Sequence, residues 1–350
     1  MPSEQDAALD RVLHARLYGY RQTQLIHLMV RLGIADALAD GPRTAADLAR
    51  RAGADPETLA DLLRVLADED LLAPSAPGSA APSEPLGTAY RLTPLGARLR
   101  DGTDSGPRGW AVHVAEEQYR AWGESLAALR SGRSGFEHAY GQPFWAHLAR
   151  HPHKARSFDE AMVASSAAGA DAIAGSGEFP ARGPGTVVDV GGGTGAVLTA
   201  VLRAHPALTG VLYDNSPVVA EAAARLRAAG VLERCTVRPG SFLSGVPAGG
   251  NVYLLCRVLC DWADAEALRI LRNCRAAMGH GARLLIAARL TDDPRLPPNP
   301  MFDLHFRLVS GGRDRSAAAY AALLRTAGLP LLARRPLDGT NLTLLVAAPG

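Results

Sequence analysis

The sequence lacks three features that would place it in large classes of proteins. Its 37 basic and 35 acidic residues leave a formal net charge of only +2, which gives no electrostatic footprint for nucleic acid or an anionic membrane. It has no apolar run approaching the ~20 residues that cross a bilayer, and its first residues lack the pattern of a signal peptide. We therefore expect a cytoplasmic protein with neither nucleic acid nor membrane among its partners.

Cysteine is also scarce. The chain has four cysteines, at positions 235, 256, 260 and 274, and their spacing does not form a disulfide framework. Reduced thiols in a reducing compartment are the natural interpretation. Cys256 and Cys260 are four residues apart and have no histidine partners at zinc-ligand spacing, so we expect no metal site.

At 350 residues the chain is long enough for two domains. Helical patterns dominate the first half, with an interruption at 132–141. Two short helices at 44–53 and 56–67 and two strands at 71–72 and 90–94 indicate a winged helix with its tip at 73–87. From residue 186 strands and helices alternate, which predicts a mostly parallel sheet covered on both faces. The predicted boundaries are a helical and winged-helix domain at 1–105, a helical connector at 106–180 and an α/β domain at 181–350.

The N-terminal half raises two hypotheses about partners. Residues 8–40 carry apolar positions at helical spacing over a stretch too long for a solvated helix, which indicates an interface with a second copy. A winged helix also invites the hypothesis of a DNA-binding regulator that senses a small molecule. Its second helix, however, carries Glu57 and Asp61 against only Arg64, whereas a recognition helix needs several donors. We therefore predict a homodimer and keep the regulator as an alternative.

A glycine-rich segment follows the first predicted strand of the second half. Residues 186–195 read Thr-Val-Val-Asp-Val-Gly-Gly-Gly-Thr-Gly, and a helical pattern follows at 196–204. Gly191 and Gly193 lack the Cβ atoms that would keep the turn away from a ligand, and the helix N-terminus adds backbone amides. Asp214, at the end of the next predicted strand, can accept both hydroxyls of a ribose. The pattern predicts a site for a nucleoside cofactor.

The identity of that nucleoside depends mainly on Asp189. The glycine spacing, with an acid about 20 residues further on, also fits the dinucleotide fingerprint. Asp189 lies inside the strand, where a carboxylate suits the ammonium of a methionine moiety and would repel a pyrophosphate. The predicted terminal hairpin at 329–337 and 341–348 also favours SAM over a dinucleotide. The residues favour S-adenosylmethionine (SAM), with NAD as the alternative.

The whole chain resembles the small-molecule O-methyltransferases that use SAM, a group with plant phenolic and bacterial polyketide-tailoring members. Five segments carry the resemblance: Val188-Asp-Val-Gly-Gly-Gly-Thr-Gly, Leu259-Cys-Asp-Trp-Ala-Asp, Ile270-Leu-Arg-Asn-Cys-Arg-Ala-Ala-Met, Phe158-Asp-Glu-Ala-Met-Val and Gly311-Gly-Arg-Asp-Arg-Ser. The resemblance implies an α/β fold, in which a C-terminal doubly wound Rossmann-like SAM-binding sheet follows an N-terminal all-α winged-helix dimerisation domain.

The resemblance also implies cofactor-binding residues. Gly191 and Gly193 would face the methionine part of SAM and Asp214 its ribose, and the remaining positions would be Asp189, Met162 near the sulfonium, Ser166 at the carboxylate, Ser241, Phe242 and Cys256. Ser241 stands where the family's Gly-Asp-Phe segment has the carboxylate that accepts from the adenine amino group. A hydroxyl accepts that hydrogen bond more weakly.

The family's usual base is missing. Relatives supply a histidine in a Leu-His-Asp-Trp segment, oriented by a glutamate on the next strand, and here these positions hold Cys260 and Ala288. Because a phenol has a pKa of about 10, something must still take its proton. Methylation by proximity is one interpretation, since a positioned base is worth roughly 10²–10⁴-fold. A thiolate role for Cys260 is a second, with a small packing residue as the simpler alternative.

The third interpretation is that another step, such as cyclisation, hydroxylation or decarboxylation, has replaced methyl transfer. His305 is the preferred substitute for an acid–base role, and Asp261 lies beside the pocket with a mainly structural role expected. His113 and Glu116 are further candidates on a front-half helix. We predict a SAM-dependent methyltransferase acting on an oxygen of a bulky aromatic or polyketide-like secondary metabolite, with the non-methylating enzyme as the alternative.

Overall fold

The computed structural model describes residues 4–75, 85–102, 107–180 and 183–350, with the side chains of 163–168 and 216–221 left out of the description. The chain divides into two compact units, 1–117 and 118–350. The helices and strands of the first unit are α1 Glu4–Leu17, α2 Tyr20–Arg31, α3 Ile34–Ala37, β1 Arg43–Thr44, α4 Ala45–Ala52, α5 Pro56–Asp68, β2 Leu72–Pro74, β3 Ala89–Leu92 and α6 Pro107–His113, followed by a π-helical turn, Val114–Gln118.

The first unit contains the predicted winged helix. The side chain of Thr44 accepts from the backbone N–H of Asp47 and so caps α4, and Asp55 caps α5 with Pro56 in its first turn. The three strands form an antiparallel sheet in the order β1-β3-β2, so the wing has one strand more than predicted. Residues 76–84 of the predicted wing tip lie outside the described part of the chain.

Helix α1 presents an apolar surface to solvent. Leu9, Val12, Leu13 and Leu17 are each exposed by more than half, and no residue of α1 is buried within the described chain. An apolar stripe of this kind on a single copy marks a surface for protein contact. The prediction of an interface within 8–40 thus divides in two: the apolar side chains of α1 lack a cover in one copy, whereas Met29, Ile34 and Leu38 are buried in the core of the first unit.

The second unit begins with helices: α7 Tyr119–Gly123, α8 Ser125–Ser131, α9 Gly135–Tyr140, α10 Phe144–Arg150 and α11 Pro152–Ala174. The predicted interruption at 132–141 is only partly right, because the helical conformation breaks at 132–134 and again at 141–143 but α9 lies between the two breaks. The Ser134 side chain accepts from the backbone of Glu137, and the Glu137 carboxylate accepts from the backbone of Ser134. This capping box lets a helix start directly after the turn.

The sheet of the second unit has seven strands, and four helices lie between or after them. The elements are β4 Gly185–Val190, α12 Ala196–Ala204, β5 Leu208–Asp214, α13 Ser216–Ala228, β6 Cys235–Pro239, β7 Val252–Cys256, α14 Asp264–Ala277, β8 Arg283–Ala288, α15 Pro300–Val309, α16 Ala317–Thr326, β9 Leu331–Pro336 and β10 Thr343–Ala347. The strand order is β6-β5-β4-β7-β8-β10-β9, with parallel pairing from β6 to β8 and antiparallel pairing of β10 to both neighbours. The predicted doubly wound sheet and terminal hairpin are confirmed.

Alternate residues of β4 enter different hydrophobic cores. Val188 packs with Ile270 of α14 and Leu324 of α16, whereas Val187 packs in the second cluster with Leu198 of α12. Both faces of the sheet are therefore covered, as the unbroken apolar strands predict. The chain order reverses between β4 and β7, and ligands of doubly wound sheets bind at the carboxyl ends of the strands at such a point.

Strand β7 is shorter than predicted. We expected it to run from 252 to 259, but it ends at Cys256 because Arg257 has a φ of 57°. This left-handed conformation turns the chain into a 3₁₀ helix, Leu259–Asp261, that carries Cys260. We call residues 257–264 the catalytic-position loop.

Candidate cofactor and methyl-transfer site

The glycine turn wraps over a buried carboxylate. Gly191 and Gly193 have φ values of 72° and 58°, in the left-handed region that favours glycine. A Cβ on Gly192 would lie 2.5 Å from Oδ2 of Asp189. The turn therefore requires glycine at position 192 as well, because the Asp189 side chain occupies the space below it.

Asp189 is the most unusual side chain of the site. It is 1% exposed, and neither carboxylate oxygen has a hydrogen-bond partner of normal geometry among the described residues. Burial, reinforced by the nearby Asp214 carboxylate, raises the pKa of Asp189 to about 7. A buried carboxylate without a partner is poised to pair with a cation.

Asp214 ends β5 beside the same turn. Its Oδ2 accepts from the backbone N–H of Gly193 at 2.8 Å, and its Oδ1 accepts from that of Asn215 at 2.6 Å. Burial raises the pKa of Asp214, and these two hydrogen bonds oppose the shift. Each oxygen keeps a second lone pair for a ligand hydroxyl, so the predicted ribose contact is sterically and chemically reasonable.

Aromatic rings stand along the carboxyl ends of β6 and β7. The rings of Phe242 and Trp262 meet edge to face at 5.7 Å. Trp145 of α10 stacks on Trp262 at 6.2 Å and 17°, and Phe158 of α11 meets Trp145 at 5.4 Å. Such rings offer flat apolar surfaces for an adenine or an aromatic substrate. The indole N–H of Trp145 is buried without a partner among the described residues.

These features fit SAM. Its ammonium would pair with Asp189, its ribose with Asp214, and its adenine would lie near Ser241 and Phe242, at the end of β6. Cys256 lies half-buried at the end of β7, and burial raises its pKa to about 12, so its side chain is a neutral thiol. Met162 is half-buried on α11, while the side chain of Ser166 lies outside the described residues.

The catalytic-position loop holds no base at residue 260. Cys260 is 8% exposed, and its Sγ donates to the backbone carbonyl of Arg257 at 3.3 Å. Burial raises the pKa of the thiol well above its usual value, and the carboxylates of Asp261 and Asp314 raise it further. The side chain is therefore a neutral thiol. Ala288, the position of the missing glutamate, is buried at the end of β8.

A clamp that sequence reasoning missed fixes this loop. Arg315 is 2% exposed and donates to the carbonyl oxygens of Leu259 at 2.6 Å and Trp262 at 2.7 Å, and also to the Asp264 carboxylate at 2.8 Å. A Cβ on Gly312 would lie 2.0 Å from the Cys260 carbonyl oxygen. The Gly-Gly-Arg-Asp-Arg segment, matched earlier only as a motif, thus holds the backbone of the loop.

Charged side chains surround the loop. Burial raises the pKa of Asp261 to about 7, with Arg257 opposing the shift and Asp314 adding to it. Asp314 pairs with Arg289 at 3.1 Å. The side chain of Asp261 is half-buried. Its carboxylate has a proton affinity matched to neutral pH.

The other titratable candidates lie in two different places. His305 is on α15, where its Nδ1 accepts from the indole N–H of Trp122 at 3.2 Å. His113 and Glu116 belong to the first unit. His113 is 3.7 Å from Glu117, and Glu116 pairs with His27 at 2.8 Å and Arg31 at 3.0 Å. The contacts of Glu116 hold helices of the first unit together.

The sheet, the glycine turn and the two carboxylates define a SAM-binding α/β enzyme, and comparison with known proteins gives its family. An O-methyltransferase domain model matches residues 122–330, and an O-methyltransferase dimerisation domain model matches residues 16–101. The chain belongs to the O-methyltransferase family and uses SAM as its cofactor. The resemblance seen in the sequence is confirmed.

Similar proteins span nearly the whole chain. Phenazine O-methyltransferase PhzM of Lysobacter antibioticus is 35% identical, over 97% of this chain and 96% of that protein. The 3-amino-4-hydroxybenzoate 4-O-methyltransferase of Streptomyces cremeus is 38% identical, over 93% and 88%. A structure of the neocarzinostatin O-methyltransferase NcsB1 with SAM and 2-hydroxy-5-methyl naphthoic acid has a TM-score of 0.80 at 31% identity, covering 94% of this chain and 96% of that one.

Among the described residues, no helix is long and apolar enough to cross a membrane. The same part of the chain has no group of three or more histidine, cysteine, aspartate or glutamate side chains that could hold a metal ion. All four cysteines are free thiols.

Proposed function

We propose that this chain methylates an oxygen of a bulky aromatic or polyketide-like secondary metabolite, as a homodimer and in the cytoplasm, without the usual histidine base. The observation that carries the proposal is the buried Asp189 carboxylate beneath the glycine turn, which has no side-chain hydrogen-bond partner among the described residues and therefore calls for a cationic cofactor. The aromatic acceptors named for the relatives support the substrate class, as do the rings of Trp145, Phe158 and Trp262. The domain division at 1–105, 106–180 and 181–350 is part of the same proposal.

When bound, SAM supplies an electrophilic methyl group on a sulfonium. The chain's own residues then act by holding and by excluding water. Asp189 takes the ammonium, Asp214 takes the ribose hydroxyls, and Met162 packs near the sulfonium. Holding the acceptor oxygen about 3 Å from the methyl carbon converts a bimolecular step into a unimolecular one, which is a large part of the barrier.

The acceptor hydroxyl either loses its proton through its own acidity or transfers it to water or to Asp261. The Cys260 thiol is held neutral by burial, so the geometry favours its packing role over the thiolate interpretation. The raised pKa of Asp261 makes it the strongest carboxylate base of the loop at neutral pH. Acidic hydroxyls, which are already ionised at pH 7, would need no base.

The test is turnover with SAM carrying a labelled methyl group, followed by mass spectrometry of the products. We offer hydroxynaphthoates and hydroxyphenazines, with and without electron-withdrawing groups, together with the corresponding aromatic amines. Labelled methyl on oxygen supports the proposal, and the rate should rise with the acidity of the hydroxyl. Turnover that proceeds equally well with S-adenosylhomocysteine, or a product without label, would contradict it.

The non-methylating alternative is not favoured, because each similar protein reported above is a methyltransferase by name. Two observations support the proposed dimer. The exposed leucines and valine of α1 need a cover, and a dimerisation domain model matches the first unit. Light scattering of wild type against Leu9→Glu with Leu13→Glu tests it. The double variant should be monomeric, and an unchanged dimer mass would exclude α1 from the interface.

A further inference from the structure

The turn that follows β6, residues 240–242, is part of the cofactor site. The backbone N–H of Gly240 donates to the carbonyl oxygen of Asp214 at 2.9 Å, so the turn begins beside the carboxylate assigned to the ribose. A Cβ on Gly191 would lie 3.4 Å from Cε1 of Phe242, so the other end of the turn packs on the glycine turn. Ser241 therefore lies between two parts of the cofactor site.

Neighbouring side chains hold this turn in place. Asn273 of α14 donates to the Phe242 carbonyl oxygen at 2.7 Å, and the Tyr213 hydroxyl donates to the Gly245 carbonyl oxygen at 3.0 Å. A Cβ on Gly240 would lie 2.5 Å from the Tyr213 ring, so the backbone packs directly on that ring. The middle residue of the turn is thus positioned by its neighbours and not by its own side chain.

The Ser241 hydroxyl is available to a ligand. Its side chain is half-buried, and it makes no hydrogen bond with the residues that the structure describes. The cofactor's ammonium is assigned to Asp189 on β4 and its ribose to Asp214 on β5, and neighbouring strands are about 4.8 Å apart. The base on the same ribose therefore continues toward the end of β6, where Ser241 lies.

The six-position of a purine determines which partner the base needs. Adenine presents an amino donor there, and a 6-oxopurine presents a carbonyl acceptor. A carboxylate at position 241 would accept from the amino group but would repel the carbonyl oxygen, because both groups are acceptors. A hydroxyl can rotate to accept from the amino group or to donate to the carbonyl oxygen, so it does not discriminate between the two bases.

We propose that Ser241 lets the cofactor site bind 6-oxopurine nucleosides as well as adenine nucleosides. S-inosyl analogues of the cofactor, which carry hypoxanthine, then bind nearly as well as the S-adenosyl compounds. The inference concerns the nucleoside end of the cofactor and goes beyond the proposed function, which needs only SAM. It does not depend on the identity of the methyl acceptor.

Calorimetry with two probes tests the proposal. S-adenosylhomocysteine and S-inosylhomocysteine differ in the amino or oxo group of the purine and the proton on the adjacent ring nitrogen. Wild type should bind the two within about fivefold of each other, less than the value of one well-made hydrogen bond. Ser241→Asp should prefer the adenosyl probe by about thirtyfold, because it gains a charge-assisted bond to adenine and repels the oxo group. A wild-type preference for the adenosyl probe beyond about fivefold would overturn the proposal.

Two further variants separate hydrogen bonding from shape. Ser241→Asn has the shape of Ser241→Asp but keeps a donor, so it should bind the two probes about equally. Ser241→Ala has neither donor nor acceptor and should lose about three- to tenfold in affinity for both probes. Equal discrimination by Ser241→Asp and Ser241→Asn, or full wild-type affinity in Ser241→Ala, would show that the hydroxyl does not bind the base. Equal thermal unfolding midpoints in the four proteins would exclude misfolding as the cause of any difference.

These affinities are measured without a methyl acceptor, so the inference and the proposed function can fail separately. If no acceptor is methylated while the two probes bind as expected, the proposed function fails and the inference about Ser241 holds. If methylation is found and wild type rejects the inosyl probe, only the inference fails.

Discussion

The cofactor half of the site, at β4 and β5, and the acceptor half, at β7 and β8, differ in which of the family's functional groups they retain. At β4 and β5 the groups for a cofactor are present, and Asp189 is buried at a raised pKa with no hydrogen-bond partner of normal geometry in the described part of the chain. At β7 and β8 the chemical groups have changed, since Cys260 and Ala288 occupy the positions of a base and its partner. The backbone there is nevertheless held firmly by Arg315 and Gly312.

The difference teaches that binding and chemistry are separable in this fold. An unsatisfied charge is a cost that the folded chain bears before its ligand arrives, and it is tolerated where function requires it. The catalytic-position loop has no buried charge at residue 260, the position of the family's base. Its geometry persists because positioning alone is worth several kcal/mol of barrier.

The largest expected effect is on the cofactor half. Asp189→Asn should weaken SAM binding roughly a hundredfold, because a charge-assisted pair with the ammonium becomes a neutral contact in a buried place. Calorimetry with SAM measures it. An affinity within threefold of wild type would show that Asp189 does not take the ammonium.

Stability supplies the control for that variant. The folded chain keeps a proton on Asp189 up to about pH 7, whereas the unfolded chain loses it near pH 3.9. Stability therefore falls as the pH rises from about 4 to 7 and is level above. Without ligand at pH 8, Asp189→Asn should be more stable than wild type by up to about 4 kcal/mol. If Asp189→Asn were less stable than wild type, its loss of SAM binding would be explained by misfolding.

The second effect belongs to the acceptor half. Cys260→His combined with Ala288→Glu should raise kcat/KM by roughly ten- to a hundredfold for a simple phenol, since it restores an oriented base. An already ionised acceptor should gain nothing. Cys260→His alone, which lacks the orienting carboxylate, is the matched control. No gain with the phenol would mean that deprotonation does not limit the wild-type rate.

A smaller effect appears in the pH dependence of SAM binding. Between pH 6 and 7.5 the affinity should rise roughly fivefold as Asp189 ionises, because its pKa in the free enzyme is about 7. It should fall again above about pH 8, where the cofactor's own α-amino group loses its charge. Calorimetry in two buffers of different ionisation enthalpy should record proton release. Asp189→Asn should lack the rising limb.

The smallest effect is expected for Cys260→Ala. A neutral thiol that donates to a backbone carbonyl contributes packing and one weak hydrogen bond. Methylation should therefore stay within about threefold of wild type, with Cys260→Ser as a second variant of similar size. A loss beyond about a hundredfold, in the range of a positioned base, would restore the thiolate interpretation.

Much of the fold was predictable, and the misses have local causes. Apolar runs predicted the central strands of the large sheet, β4, β5, β7 and β8, because buried parallel strands need continuous apolar residues. The start of α9 was missed because its glycine neighbours mask a capping box. The end of β7 was missed because the left-handed turn falls on Arg257, a residue that seldom adopts it.

The sequence by itself indicated the family through five matching segments and the doubly wound sheet through apolar periodicity, and Asp189 favoured SAM over NAD, because these signals each act over a few residues. It also exposed the loss of the base. Only the tertiary structure decided the charge of the side chains that remain. Burial makes the Cys260 thiol neutral and raises the pKa of Asp189 and Asp261, and Trp122, 183 residues from His305 in sequence, donates a hydrogen bond to the His305 imidazole. Desolvation and hydrogen bonding depend on neighbours in space, which local sequence patterns do not contain.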